Sequence, residues 1–102
     1  MKKQFVRELK VGDSVRTFFV AKHKSLDLFR DKSKGRFLTV LLADRSGQIL
    51  ARSWSNASAL ADLFQEEDVI AVKGRVDEHL GRRQIIIDKL RPAQPDERGR
   101  LF

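Results

Sequence analysis

Aromatic and basic side chains are the residues of this sequence whose chemistry is most apparent. The chain contains 7 Phe, 1 Trp and 21 Lys or Arg residues. Flat rings and guanidinium groups can stack on nucleobases, and cations can neutralise phosphates. These residue types favour reversible binding of a polyanion over the making or breaking of covalent bonds.

The charge is unevenly distributed along the 102 residues. The formal net charge is +7 and the pI is about 10.3, so a polyanion is the expected partner. Residues 1–36 carry a net charge of +7, residues 37–68 carry −3, and residues 69–102 carry +3. We therefore expect one basic face that combines the N-terminal third of the chain with a C-terminal hairpin.

Several classes of protein are excluded by what the sequence lacks. Without Cys there is no disulfide, thiolate nucleophile or Cys-ligated zinc site. His23 and His79 have no suitably spaced partner, and no Ser, His and Asp set suggests catalysis, so we expect no metal, cofactor or enzymatic activity. The longest apolar run, 38–43, is too short to span a membrane, and no signal peptide follows Met1. The sequence predicts a soluble, cytoplasmic protein with no membrane partner.

The elements that must position these side chains are mostly strands. Runs rich in Val, Ile, Thr and Phe, separated by Gly-, Asp- and Ser-containing turns, predict five of them. The predicted strands are 15–28, 36–43, 48–54, 69–79 and 84–90. Apolar residues at helical spacing predict one short helix from Ala57 to about Gln65, with Ser55-Asn56 as its N-cap. Gly74 interrupts the fourth strand, which indicates a bulge or a sharp bend.

This order of elements predicts the fold. Three strands, a helix and two further strands are typical of an all-β, five-stranded Greek-key OB barrel with one short helix between strands 3 and 4. An SH3-like barrel is the competing fold, but it usually has only a short 3₁₀ turn before its last strand. We expect the barrel to occupy residues 1–92. Residues 93–102 are predicted to be a flexible tail or a truncated interdomain linker.

Three segments also resemble a known family. Residues 37–49 (FLTVLLADRSGQI), 69–76 (VIAVKGRV) and 84–87 (QIII) are similar to the OB-fold nucleic-acid-binding domain of the tRNA-anticodon-binding type. Val11-Gly12-Asp13, Phe18-Phe19-Val20 and Trp54 look like the amino-terminal OB domain of bacterial HD-domain 3′-to-5′ exoribonucleases. The resemblance covers about residues 5–92. It departs from that family at Glu67-Asp68, where the family usually has Gly-Asp, and no HD catalytic domain follows within the 102 residues.

OB folds bind oligonucleotides on strands 2 and 3, between the loop joining strands 1 and 2 and the loop joining strands 4 and 5. Both loops are basic in this sequence. Strand alternation directs Leu38, Val40 and Leu42 inward, and it directs an aromatic and polar set outward on strands 2 and 3. The predicted nucleic-acid-binding residues are Phe29, Arg30, Lys32, Lys34, Arg36, Phe37, Thr39, Arg52, Trp54, Arg82 and Arg83.

Some aromatic residues in this region have a structural interpretation as well. Trp54 could pack beneath the helix as core, Phe37 could cover a barrel mouth, and Phe29 could anchor a loop. Phe18, Phe19, Ile85 and Ile87 are expected in the core rather than at a ligand.

The favoured function is a single-stranded nucleic-acid-binding module, with RNA preferred over DNA. It would be the substrate-binding domain of a larger 3′-to-5′ exoribonuclease, or a fragment of one, whose catalytic HD domain lies elsewhere. One alternative is a protein-interaction or homo-oligomerisation module that uses Phe37, Leu41, Leu50 and Trp54. The other alternative is a binder of structured, tRNA-like RNA.

Overall fold

The computed structural model describes residues 4–101, and the side chains of residues 4–99. Five strands and one helix make up its regular structure: β1 Ser14–Leu28, β2 Arg36–Asp44, β3 Gly47–Ser53, α1 Ala57–Ala61, β4 Val69–His79 and β5 Arg82–Pro92. Short 3₁₀ helices occupy Val6–Glu8, Lys32–Lys34 and Pro95–Leu101. No helix within these residues is long and apolar enough to cross a membrane.

The strands form a closed barrel in the order β1-β2-β3-β5-β4. Strand β1 is long enough to serve two neighbours, because residues 14–20 pair with β4 and residues 20–28 pair with β2. Its register with β2 shifts between Ala21 and His23, next to the point where β1 changes partner. A short parallel pairing of β3 with β5 closes the barrel. The predicted five-stranded OB barrel, with its helix between β3 and β4, is confirmed.

Alternation along the strands fills the barrel as predicted. Leu38, Val40 and Leu42 of β2 are fully buried. Their neighbours Phe37 and Leu41 point outward and are half-buried. On β1, the prediction that Phe18 and Phe19 are both core residues is confirmed for Phe19 and wrong for Phe18. Phe19 is fully buried, whereas Phe18 is half-buried, because adjacent residues of a strand point to opposite faces.

The helix α1 is shorter than the predicted 57–65 and begins differently. Asn56 has left-handed backbone angles (φ 54°), and its side chain makes no capping hydrogen bond, so the predicted side-chain N-cap is wrong. At the other end, Lys24 Nζ donates to the carbonyl oxygens of Ala61, at 2.6 Å, and Phe64. A cation at a helix C-terminus satisfies carbonyls that have no partner within the helix. This lysine holds the end of α1 and the following turn against β1.

One strand position and one turn position have unusual backbone geometry. The predicted bulge at Gly74 is confirmed, since the β4–β5 register shifts between Lys73 and Gly74. A Cβ atom at Gly74 would lie 2.1 Å from the carbonyl oxygen of Ile86, so only glycine allows the strands to approach this closely. Glu67 has φ 74°, the conformation that favours glycine, at the position where the resembled family usually has Gly.

The chain after β5 folds back onto the barrel. Ala93 is buried, and its N–H donates to the carbonyl oxygen of Val69 at 2.9 Å. Glu97 accepts two hydrogen bonds from Arg91, at 2.7 and 2.9 Å. This hydrogen bonding raises the pKa of Arg91 above its ordinary value. The predicted domain boundary after residue 92, and the linker role of residues 93–102, stay predictions.

We expect Gly74→Ala to destabilise the barrel by roughly 2–4 kcal/mol, because the new methyl group must push β4 away from the Ile86 carbonyl. Urea denaturation measures this loss. Gly99→Ala is the matched control, since nothing lies within 4 Å of its Cβ position, and its effect should stay within about 0.5 kcal/mol. A Gly74→Ala variant as stable as Gly99→Ala would contradict the assigned close approach.

Candidate nucleic-acid interface

Three aromatic rings meet at one end of the β2–β3 surface. The ring centroids of Phe29 and Phe37 are 5.1 Å apart, those of Phe37 and Trp54 are 5.0 Å apart, and those of Phe29 and Trp54 are 5.8 Å apart. All three pairs are tilted, with interplanar angles from 37° to 55°. Trp54 is 46% exposed. We call these three residues the aromatic cluster.

Strand register and one loop bring the aromatic cluster together. Leu38 pairs with Ser53, so Phe37 and Trp54 are the next residues beyond that pair. Phe29 comes from the β1–β2 loop, where its N–H donates to the carbonyl oxygen of Gly35 at 3.2 Å. Gly35 has φ 83°, which lets the loop turn back to β2. Trp54 therefore packs on two other rings at the surface, which differs from the alternative in which it lies beneath the helix as core.

The rest of the β2–β3 outer surface is a ladder of cross-strand pairs. Thr39 lies opposite Arg52, and Leu41 lies opposite Leu50, which is 41% exposed. Arg52 Nη1 donates to the Oε1 atom of Gln84, a buried side chain of β5, at 3.0 Å. The Nε atom of Arg52 is buried and has no hydrogen-bond partner among the described residues. Gln84 thus holds the guanidinium group along the sheet, beside Thr39.

Sequence reasoning missed Gln84. The sequence pattern predicts Gln84 only as the first residue of the fifth strand. Its hydrogen-bond partner, Arg52, is determined by the parallel pairing of β3 with β5. A single sequence gives no signal for that register.

The β1–β2 loop supplies cations beside the aromatic cluster. Its basic residues are Arg30, Lys32 and Lys34, Arg36 follows as the first residue of β2, and all four are exposed. None of them forms an ion pair with the side chains that the structure describes.

One acidic residue shapes this loop. Asp31 Oδ1 accepts hydrogen bonds from the Ser33 hydroxyl, at 2.6 Å, and from the Ser33 N–H, at 3.1 Å. These bonds lower the pKa of Asp31 below its ordinary value, the hydroxyl making the larger contribution. The Asp31 carboxylate is therefore hydrogen-bonded to Ser33, and it forms no ion pair with a cation of the described part of the loop.

Arg82 and Arg83, predicted together as binding residues, differ in their hydrogen bonds. Arg83 Nη1 donates to the carbonyl oxygen of Val6 at 2.9 Å and to that of Leu9. It therefore ties the N-terminal 3₁₀ segment to the β4–β5 hairpin. Both arginines line a cavity of about 210 Å³ that also borders Arg52. The structure thus places both beside the β2–β3 surface, and the guanidinium of Arg83 is in addition hydrogen-bonded to the N-terminal segment.

We expect the Asp31 carboxyl to titrate below pH 3.8, its ordinary pKa, because its ionised form accepts both Ser33 hydrogen bonds. A depressed folded-state pKa means that this stabilisation of the loop is present above the ordinary value and is lost as the pH falls through the folded value. Carboxyl ¹³C NMR measures the midpoint. Ser33→Ala should move it upward, and Ser58→Ala, on the exposed side of α1, should leave it in place. An unchanged midpoint in Ser33→Ala would show that the Ser33 hydroxyl does not lower this pKa.

We expect alanine substitution of the two adjacent arginines to have different effects on stability. Arg83→Ala leaves two backbone carbonyls without their charged donor, so we expect it to cost roughly 1–2 kcal/mol in the free energy of unfolding. Arg82→Ala removes the same charge without that loss and should stay within about 0.5 kcal/mol. Thermal denaturation of the pair is the measurement. Equal losses would mean that Arg83 does not anchor the N-terminal segment.

Comparison with known proteins agrees with this geometry. The chain is similar over 88 residues, with 31% identity, to the 3′-5′ exoribonuclease YhaM of Bacillus velezensis, and the match covers 85% of this chain but 27% of that protein. The chain thus spans about a quarter of the length of this curated relative.

Solved structures share the fold. One is a replication protein A heterotrimer bound to single-stranded DNA, with 22% identity, a TM-score of 0.62, and coverage of 83% of this chain and 60% of that one. Another is the second OB-fold domain of replication protein A from Methanococcus maripaludis, with 20% identity, a TM-score of 0.61, and coverage of 92% and 96%.

The family model described as "OB-fold nucleic acid binding domain" matches residues 20–93. On this match, the chain belongs to the family of OB-fold nucleic-acid-binding domains.

Proposed function

We propose that this domain binds single-stranded nucleic acid, RNA in preference to DNA, across the outer surface of β2 and β3. The observation that carries the proposal is the aromatic cluster, in which the half-exposed Trp54 is packed against Phe29 and Phe37. Packing fixes the indole before a ligand arrives, so little side-chain freedom is lost when a base stacks on it. A stacked base contributes roughly 1–3 kcal/mol, largely without regard to its identity.

Charge around the cluster supports the same function. The unpaired cations of the β1–β2 loop stand at one end of the surface, and Arg52 and Arg82 stand along it. Contacts from Lys and Arg to phosphates add affinity without reading the sequence. We therefore expect weak sequence specificity, and an affinity that falls with salt concentration.

The role in the whole protein is also a proposal. The curated relative is a 3′-5′ exoribonuclease, and this chain corresponds to about a quarter of it. We propose that the domain guides an RNA strand toward a catalytic HD domain in a longer polypeptide. Preference for RNA follows from the relative's substrate class, since no residue of the described surface is assigned to a 2′-hydroxyl.

Titration with a labelled single-stranded RNA of about 12 nucleotides tests the proposal, using anisotropy and Trp54 fluorescence at several salt concentrations. If three to five phosphates are neutralised, log K should fall against log salt with a slope of roughly −2 to −3.5. Trp54→Ala and Phe37→Ala should each weaken binding by roughly 1–3 kcal/mol. The fluorescence of Trp54 should change on saturation, because a base stacks on its indole.

Leu63→Ala is the matched control, because Leu63 is a large apolar residue with the same 46% exposure as Trp54 but follows α1 and belongs to neither β2 nor β3. Its affinity should equal that of the parent domain. Single-stranded DNA, duplex RNA and tRNA of equal nucleotide concentration are the comparison ligands. Preference for the duplex, or for tRNA over unstructured RNA, would reject the single-strand proposal, and the tRNA result would favour recognition of structured RNA.

A second candidate function rests on the Leu41–Leu50 pair. These leucines lie opposite each other on the same outer surface, with Leu50 exposed and Leu41 half-buried, and an apolar surface suits a protein partner better than a phosphate chain. We propose self-association or docking to another subunit as the alternative use of this surface. Sedimentation velocity distinguishes the two: a salt-insensitive oligomer that Leu50→Ser disrupts favours assembly, and a monomer at all salt concentrations favours nucleic acid.

A further inference from the structure

A row of three cations crosses the barrel on the outer surface of β1, β4 and β5. Arg16 of β1 pairs with Lys73 of β4, and Lys73 pairs with Lys89 of β5. All three side chains are exposed. Neighbouring strands are about 4.8 Å apart, so the row spans about 10 Å. We call these three residues the cation row.

The acidic side chains that the structure describes leave the cation row without an ion-pair partner. Arg91, in the neighbouring row, is instead paired with Glu97. Like charges placed directly opposite each other on adjacent strands destabilise a sheet. Three in succession are an arrangement that an external anion would relieve.

The cation row borders a groove large enough for part of a nucleic-acid chain. The groove has a volume of about 530 Å³, and its lining includes Arg16, Lys73 and Lys89 together with Thr17, Val72 and Leu90. It is separate from the aromatic cluster, because β4 pairs with β1 and β5 but with neither β2 nor β3. The two surfaces therefore lie on different sides of the barrel.

We propose that this groove is a second nucleic-acid contact, which binds the phosphate backbone of a strand that extends beyond the β2–β3 surface. Lysine ammonium groups act on phosphates as point charges, and such contacts position a strand without reading its bases. An acidic protein surface is the less favoured occupant, because lysine is depleted in protein–protein interfaces. The choice of nucleic acid as the polyanion rests on the proposed function.

The test compares two double variants that remove equal charge. Lys73→Gln/Lys89→Gln removes two members of the cation row. Arg7→Gln/Lys10→Gln removes two exposed cations of the N-terminal segment that do not line the groove. Each protein is titrated with oligouridylates of about 6 and about 24 nucleotides, since one OB fold occupies roughly 4–16 nucleotides.

With the long strand, we expect the Lys73→Gln/Lys89→Gln variant to bind about tenfold more weakly than the Arg7→Gln/Lys10→Gln control, and its salt slope to be smaller by about 1.4, two single-strand phosphate contacts. With the short strand, the two variants should bind equally. The melting temperature of Lys73→Gln/Lys89→Gln at low salt should rise, because the repulsion within the row is relieved.

Three outcomes would overturn the proposal. Equal losses of affinity for the long strand in both double variants would show that only the net charge of the domain matters. Unchanged binding of the long strand by Lys73→Gln/Lys89→Gln would leave no role for the groove. Displacement of the long strand by polyglutamate, but not by polyphosphate of equal charge, would favour an acidic protein partner. Failure of the short strand to bind the parent domain would instead count against the β2–β3 surface, while the long-strand comparison still tests the groove.

Discussion

The close approach of β4 and β5 at Gly74 is the constraint on which the barrel depends. A side chain there would overlap the Ile86 carbonyl, so only hydrogen can occupy the position. Asp88 is the residue left unpaired on β5, because Lys73 pairs with Lys89 and Gly74 pairs with Ile87. A bulge of this kind bends and twists a strand pair. The bend allows β4 to reach β1 on one side while β5 reaches β3 on the other.

Closure of the barrel in turn sets the register of the strands that carry the proposed binding surface. Because β3 and β5 run parallel beside each other, buried Gln84 meets Arg52 and orients its guanidinium group. The β2–β3 register brings Phe37 beside Trp54, and the β1–β2 loop adds Phe29. The loop carries charge and one ring, while the strands supply fixed positions. A surface built in this way keeps its shape before any ligand is present, so the cost of ordering side chains on binding is small.

Sequence patterns predicted most of the fold and part of the candidate site, for identifiable reasons. Alternation on β2 identified Leu38 as inward and Phe37 as outward, because period-two burial is a local property. The predicted helix extends beyond the observed end of α1. Lys24, which is distant in sequence, donates hydrogen bonds to the carbonyl oxygens at that end, and local apolar spacing does not reveal this contact. The anchoring of Arg83 to backbone carbonyls of the N-terminal segment could not be predicted either. Such contacts depend on which strands become neighbours, and the pairing of strands cannot be deduced from a single sequence.

Glu67 shows how a binding domain can retain an unfavourable local conformation. Its φ of 74° costs an L-residue about 1–2 kcal/mol relative to glycine. Its N–H donates to Ala21 at 2.7 Å and its carboxylate meets Lys22 at 3.0 Å, an exposed ion pair that offsets only part of that cost. Glycine at position 67, in the turn before β4, would therefore make the barrel more stable. Substitution of Glu67 by glycine, or the reverse, would change how many further destabilising mutations the barrel tolerates, and it would leave both proposed binding surfaces unchanged.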